Sequence, residues 1–91
     1  MKNVFCLVPL EVKESLHAIA RDNGKPVSHI VRDYLDSIAD APPIAERNFR
    51  ARIVVKLDDA RIAKLAALSR ATNTNLSEVF RSIIIKGVKN G

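Results

Sequence analysis

The stretch RIVVKLDDARIAKLAALSRATNTNLSEVFRSII, residues 52–84, decides how the rest of the chain is read. Its first six residues alternate: Arg52, Val54 and Lys56 fall on one side of an extended segment, and Ile53, Val55 and Leu57 on the other. A period of two with β-branched residues predicts a half-buried strand over 52–57. The period then changes. Ile62, Leu65 and Leu68 share one face of a predicted helix over 59–71. Asp58 and Asp59 suit the start of that helix, where they cap unpaired N–H groups and match the positive dipole end. Asn75-Leu76-Ser77-Glu78 has the form of a capping box, with Asn75 as N-cap. It opens a second helix over 76–88, whose apolar residues Leu76, Val79, Phe80, Ile83 and Ile84 cover a wide face.

Working outward, the same pattern occurs earlier in the chain. A shift of 49 residues lays Asn3 on Arg52 and superimposes residues 3–39 on 52–88 without a gap. Identities are few (Leu16/Leu65, Ala18/Ala67, Arg21/Arg70, Ser28/Ser77, Arg32/Arg81), but the apolar positions agree. The first copy reads as a strand over 3–8, a helix over 10–22 with Val12, Leu16 and Ile19 on one face, and a second helix over 26–39. Gly24, which readily takes the left-handed C-cap conformation, and Asn73, the next-best residue there, mark the two breaks between helices. Pro26 suits a first helical turn. Ile85 falls where the first copy has Asp36, and is expected to be exposed. The repeats thus span 2–39 and 51–89, and residues 40–50, DAPPIAERNFR, form the linker. Eleven residues reach at most roughly 35–40 Å, enough to leave one helix and begin a distant strand.

Composition bounds the function. Ninety-one residues make one small domain, and only four are aromatic (Phe5, Tyr34, Phe49, Phe80), so the core is aliphatic. Tyr34 is expected in the core with its hydroxyl at the edge. Cys6 is the only cysteine, which excludes an internal disulfide and fits a small buried hydrophobe. No apolar run approaches a membrane span, and VFCLVPL is followed by no small-residue cleavage site, so the chain is read as cytoplasmic. Net charge is +5, which favours polyanionic partners. It is unevenly placed: residues 1–45 hold five Lys/Arg against six Asp/Glu, and residues 46–91 hold ten against four, so −1 and +6 make up the total. His17 and His29 fall on different predicted helices, no cluster has metal-ligand spacing, and no Gly-rich phosphate loop or nucleophile with a paired base is present, so no cofactor, metal or enzymatic activity is expected. Arg32 and Arg81 at equivalent helix positions fit a structural ion pair or a solvated stem.

In the order strand, acidic helix start, Leu-x-x-Leu, turn and Ser-Glu-Val-x-Arg, the chain resembles the ribbon–helix–helix family of small DNA-binding proteins, the Arc/MetJ/CopG class. RIVVKLDDARIAKLAALSRATNTNLSEVFRSII carries the closer match, and FCLVPLEVKESLHAIARDNGKPVSHIVRDYL the looser one. The resemblance implies a mainly α fold with a small β ribbon: two antiparallel strands, one from each repeat, and four helices in the order β-α-α-linker-β-α-α. Family members are normally homodimers, so both copies in one chain imply a tandem pseudo-dimer folding as a single intertwined domain. One copy alone would expose an unpaired strand and an apolar helix face.

By the same resemblance, Arg52, Val54 and Lys56 of the second strand and Asn3, Phe5 and Leu7 of the first would face the DNA major groove. Arg or Lys donates to guanine, Asn pairs with adenine, and Val contacts a thymine methyl. Backbone N–H groups at Val27 and Ser28, and at Leu76 and Ser77 beyond Asn75, would meet phosphates, with Arg47 and Arg50 adding attraction. Phe5 and Leu7 depart from the polar pattern. The first strand then reads thymine methyls and shape, or supports one reading strand, or binds a protein. The implied function is a transcriptional regulator, a repressor, occupying a double-stranded operator, with a dimer of chains as a further expectation. The alternative is a protein-interaction module, an antitoxin or inhibitor. The family's antitoxins usually carry a long C-terminal tail, and the few residues after the last helix weigh against that version.

Overall fold

The computed structural model describes residues 1–38 and 51–90. The elements run β1 (Lys2–Val8), α1 (Leu10–Asn23), α2 (Val27–Ser37), β2 (Ala51–Leu57), α3 (Asp59–Thr72) and α4 (Leu76–Asn90). The fold is mainly helical, with β1 and β2 paired antiparallel in one two-stranded sheet. The pairing runs from Lys2 opposite Leu57 to Val8 opposite Ala51, with Phe5 opposite Val54 at its centre. The expected linker, with Arg47 and Arg50, lies outside the described residues.

Alternation places the core under the ribbon. Every second residue of β2 is buried (Ala51, Ile53, Val55, Leu57), as are Cys6 and Val8 of β1. Beneath them pack Leu16 of α1, Val31 and Leu35 of α2, Leu65 of α3, and Phe80, Ile83 and Ile84 of α4, all without solvent exposure. The first helix of each half, α1 and α3, ends alike. The Gly24 and Lys25 amides donate to the Arg21 and Ala20 carbonyls, and the Asn73 and Thr74 amides to those of Arg70 and Ser69. Both are Schellman closures, turned by a left-handed residue, Gly24 at φ 63° and Asn73 at φ 53°. The second helices start differently: Pro26 precedes α2, whereas the Asn75 side-chain oxygen accepts from the Glu78 amide (2.9 Å) at the start of α4.

Four expectations need correcting. Ile85 is buried, not exposed, because α4 packs against α1, α2, α3 and β1 and has no wet face from Val79 to Ile85. Asp58 occupies the N-cap position of α3 without capping it. Its carboxylate accepts from Arg61 (2.9 Å), and Arg61 also pairs with Asp36 (2.7 Å), so two carboxylates share one guanidinium. The Tyr34 hydroxyl is buried and lacks a hydrogen-bond partner among the described residues; its ring lies flat against Gly87 of α4. Finally, α2 stops at Ser37, and Ile38 is extended at φ −99°, ψ 134°.

Candidate nucleic-acid interface

The ribbon's outer face holds all six residues expected to read bases. The register sets them in three cross-strand rows: Asn3 beside Lys56, Phe5 beside Val54, and Leu7 beside Arg52. All six are exposed. Phe5 (58%), Val54 (51%) and Leu7 (43%) are among the few large apolar side chains left in water. Arg52 does not extend beside Leu7. Its guanidinium carbon sits 4.4 Å from the centroid of the Phe5 ring, diagonally across the ribbon. At an exposed site such a cation–π contact is worth about 0.5–1 kcal/mol, enough to bias the side chain without locking it.

Helices hold the backbone edges of this face. The Lys56 amide donates to the Ser28 hydroxyl (3.1 Å), and the Lys56 carbonyl accepts from Arg32 Nε (3.1 Å). Both backbone groups of Lys56 are therefore turned to α2, so the Asn3–Lys56 row is a non-hydrogen-bonded pair, in which side chains approach most closely. On the other edge Arg81 Nε of α4 donates to the Leu7 carbonyl (2.6 Å). Shifted by 49 residues, Arg32 becomes Arg81 and Leu7 becomes Lys56, so the two arginine–carbonyl bonds occupy equivalent places. Each arginine is more than a solvated stem: it clamps the ribbon edge of the other half. The clue was available: Arg32/Arg81 is one of the few identical pairs.

The expected phosphate positions sit at helix starts. The first amides of α2 (Val27, Ser28) and α4 (Leu76, Ser77) have no carbonyl a turn earlier within their own helix. The Ser28 bond brings the start of α2 against the end of β2 that carries Lys56. Ser28 accepts from the ribbon and keeps its own O–H as a donor, while the Asn75 oxygen is committed to its cap; the Asn75 amide N–H₂ and the exposed Ser77 hydroxyl are further donors there.

Burial pushes the Cys6 thiol up to about 11, only partly countered by nearby Arg81, so it is protonated and inert beneath the ribbon. Burial likewise raises Tyr34. Asp58 is held below its usual value, chiefly by its hydrogen bond from Arg61. His17 and His29 are exposed on separate helices, and among the described residues no group of three His, Cys, Asp or Glu is placed to hold a metal. No described helix is long and apolar enough to cross a membrane.

The fold and this face thus define a mainly helical chain that presents a two-stranded antiparallel ribbon with a mixed cationic and apolar outer surface. Compared with protein-family models, curated proteins and solved structures, the chain returns no match.

Proposed function

We propose that the chain is a tandem ribbon–helix–helix pseudo-dimer that binds double-stranded DNA sequence-specifically and acts in the cytoplasm as a transcriptional regulator, a repressor, with no catalytic step. The observation that carries this is the centre of the ribbon. The 49-residue shift equates Phe5 with Val54, and these two residues lie directly opposite each other. Strands related by a two-fold axis must pair about an equivalent position, and the two arginine clamps obey the same relation. A two-stranded ribbon fits the B-DNA major groove. Arg52 and Lys56 project from its outer face, and the basic second half supplies the long-range attraction. The amides at the starts of α2 and α4, which have no carbonyl partner within their own helix, would receive phosphates on either side. Two chains side by side on one operator would extend the footprint.

The test is fluorescence anisotropy on labelled duplexes, including DNA upstream of the protein's own gene, across a salt series. The native chain is expected to prefer one duplex over scrambled DNA, with affinity falling steeply with salt. Arg52→Ala/Lys56→Ala should lose the preference and flatten the slope. Equal, weak binding of all DNA by both proteins refutes the reading. A second reading, a protein-docking module, draws on the exposed Phe5, Val54 and Leu7 and would then take its place.

A further inference from the structure

We infer that the ribbon reads a non-palindromic site, hydrogen-bonding purines at one end and contacting the C5-methyl groups of pyrimidines over its centre and other end. This deepens the DNA-binding reading above and rests on it.

The three rows of the outer face are chemically unlike. The Asn3–Lys56 row is polar: its amide suits adenine N6 and N7, and its ammonium suits guanine O6 and N7. The Phe5–Val54 row is apolar in its own side chains, with the Arg52 guanidinium over one face of the Phe5 ring. In the Leu7–Arg52 row the guanidinium leans away over the Phe5 ring, so Leu7 is left as the tip of that end. Polarity therefore runs along the ribbon and is not mirrored about its centre. Operator palindromy reflects protein symmetry, and here the two strands offer different triplets, Asn3, Phe5, Leu7 and Arg52, Val54, Lys56.

The apolar rows have one natural counterpart. An exposed apolar side chain gains by contact only if its partner also carries apolar surface, and the apolar group displayed in the major groove is the pyrimidine C5-methyl of thymine. A methylated cytosine offers the same group. Neighbouring cations match the phosphate-lined groove in charge, which favours DNA over an apolar protein surface. The ribbon also cannot even out its rows by sliding. A one-residue slip would turn Ile53, Val55 and Leu57 into water, and the Ser28, Arg32 and Arg81 contacts pin both edges.

The experiment uses the full chain to select its preferred duplex from a random pool, then replaces each thymine singly by uracil, which removes one methyl and no hydrogen-bonding group. The selected site is expected to lack two-fold symmetry. Uracil at the central positions should weaken anisotropy-measured affinity by about four-fold each, the worth of one buried CH₂. Phe5→Ala and Leu7→Ala should each shrink the thymine–uracil difference at the positions its own side chain covers; both side chains are exposed, and the native-chain comparison stands without them. A palindromic site, or uracil duplexes bound as tightly as thymine ones while sequence preference persists, overturns this inference and leaves the DNA-binding reading intact. If no duplex is preferred over scrambled DNA, both fall, and the apolar rows become a protein-docking surface.

Discussion

Replacing Gly87 by Ala tests the packing that sets α2 against α4 beneath the ribbon. A Cβ at this position would lie 2.4 Å from Tyr34 Cδ2, 2.5 Å from Cγ and 2.6 Å from Cε2. These are all about 1 Å inside ordinary contact, and the obstacle is one face of a ring that the core holds in place. Two effects oppose each other. Ala is the better helix former by about 1 kcal/mol. Overpacking a well-filled site costs about 1–3 kcal/mol, and a clash with three ring atoms belongs at the upper end. The net expectation is a loss of about 1–2 kcal/mol, or roughly 4–16 °C in melting temperature for a domain of this size. Urea unfolding followed by far-ultraviolet circular dichroism measures it. The control is the same substitution in a Tyr34→Ala background. With the ring gone only helix propensity remains, so Gly87→Ala should stabilise by about 1 kcal/mol, a coupling of about 2–3 kcal/mol across the cycle. If Gly87→Ala stabilises the native chain, the Tyr34 ring does not lie on Gly87 and the reasoning fails.

Further outcomes follow from the same geometry. Tyr34→Phe removes a buried hydroxyl that has no partner among the described residues and should raise stability by about 1 kcal/mol in urea unfolding. Gly24→Ala meets no atom within 4 Å, so its cost is that of the left-handed backbone alone; about 1 kcal/mol lost is expected, against little change for Gly24→Asn. Burial raises Cys6 from 9.0 to about 11 in the folded chain. Its contribution is therefore complete below pH 9 and declines as the pH rises towards 11. In a Tyr34→Phe background, Cys6→Val should remove an alkaline loss of about 2 kcal/mol. The same thiol should react with a disulfide reagent only after denaturant is added. Asp58, held low by Arg61, adds stability above the ordinary carboxylate range that is lost as pH falls through its folded value; Arg61→Met should flatten the acid limb of the pH–stability curve.

The period of the apolar pattern made the strands and helices legible, because alternation and three-to-four spacing have no other cheap explanation. Gly24 and Asn73 marked the helix ends because a left-handed backbone restricts residue choice so strongly. What stayed hidden depends on long-range packing. Ile85 follows no local rule, since its burial comes from the elements that surround α4. Asp58 has the right chemistry for a cap, but Arg61 one turn on competes for its carboxylate and wins. The outer face of the ribbon was readable residue by residue, whereas its rows needed the register. The turn of Arg52 over Phe5 needed the diagonal neighbour that the register creates.

The departures from symmetry also bear on which halves can pair. On the two-repeat reading, Asp36, Asp58 and Arg61 form an ion-paired corner, and the 49-residue shift maps them onto Ile85, Pro9 and Val12, all buried and apolar. Tyr34 and Gly87 likewise map onto Ile83 and Ile38, so two isoleucines stand at the positions equivalent to a large–small contact. Pairing the first repeat with a second copy of itself would set Asp36 against Pro9 and Val12, and Tyr34 against Ile38. Pairing the second with itself would set Ile85 against Asp58 and Arg61, and Ile83 against Gly87. Each exchange leaves a charge without its partner, an overfilled site or a void, and such mismatches reject a wrong partner more sharply than added attractions select a right one. Thiol trapping checks this. In a Cys6→Val background, Val54→Cys faces Phe5 in the native pairing but would face its own copy in a like-with-like dimer. Oxidation should give no covalent dimer with Val54→Cys alone, and an intrachain disulfide when Phe5→Cys is added. Covalent dimers from the single variant at micromolar concentration would show that like repeats pair freely, and that these corners do not govern the choice.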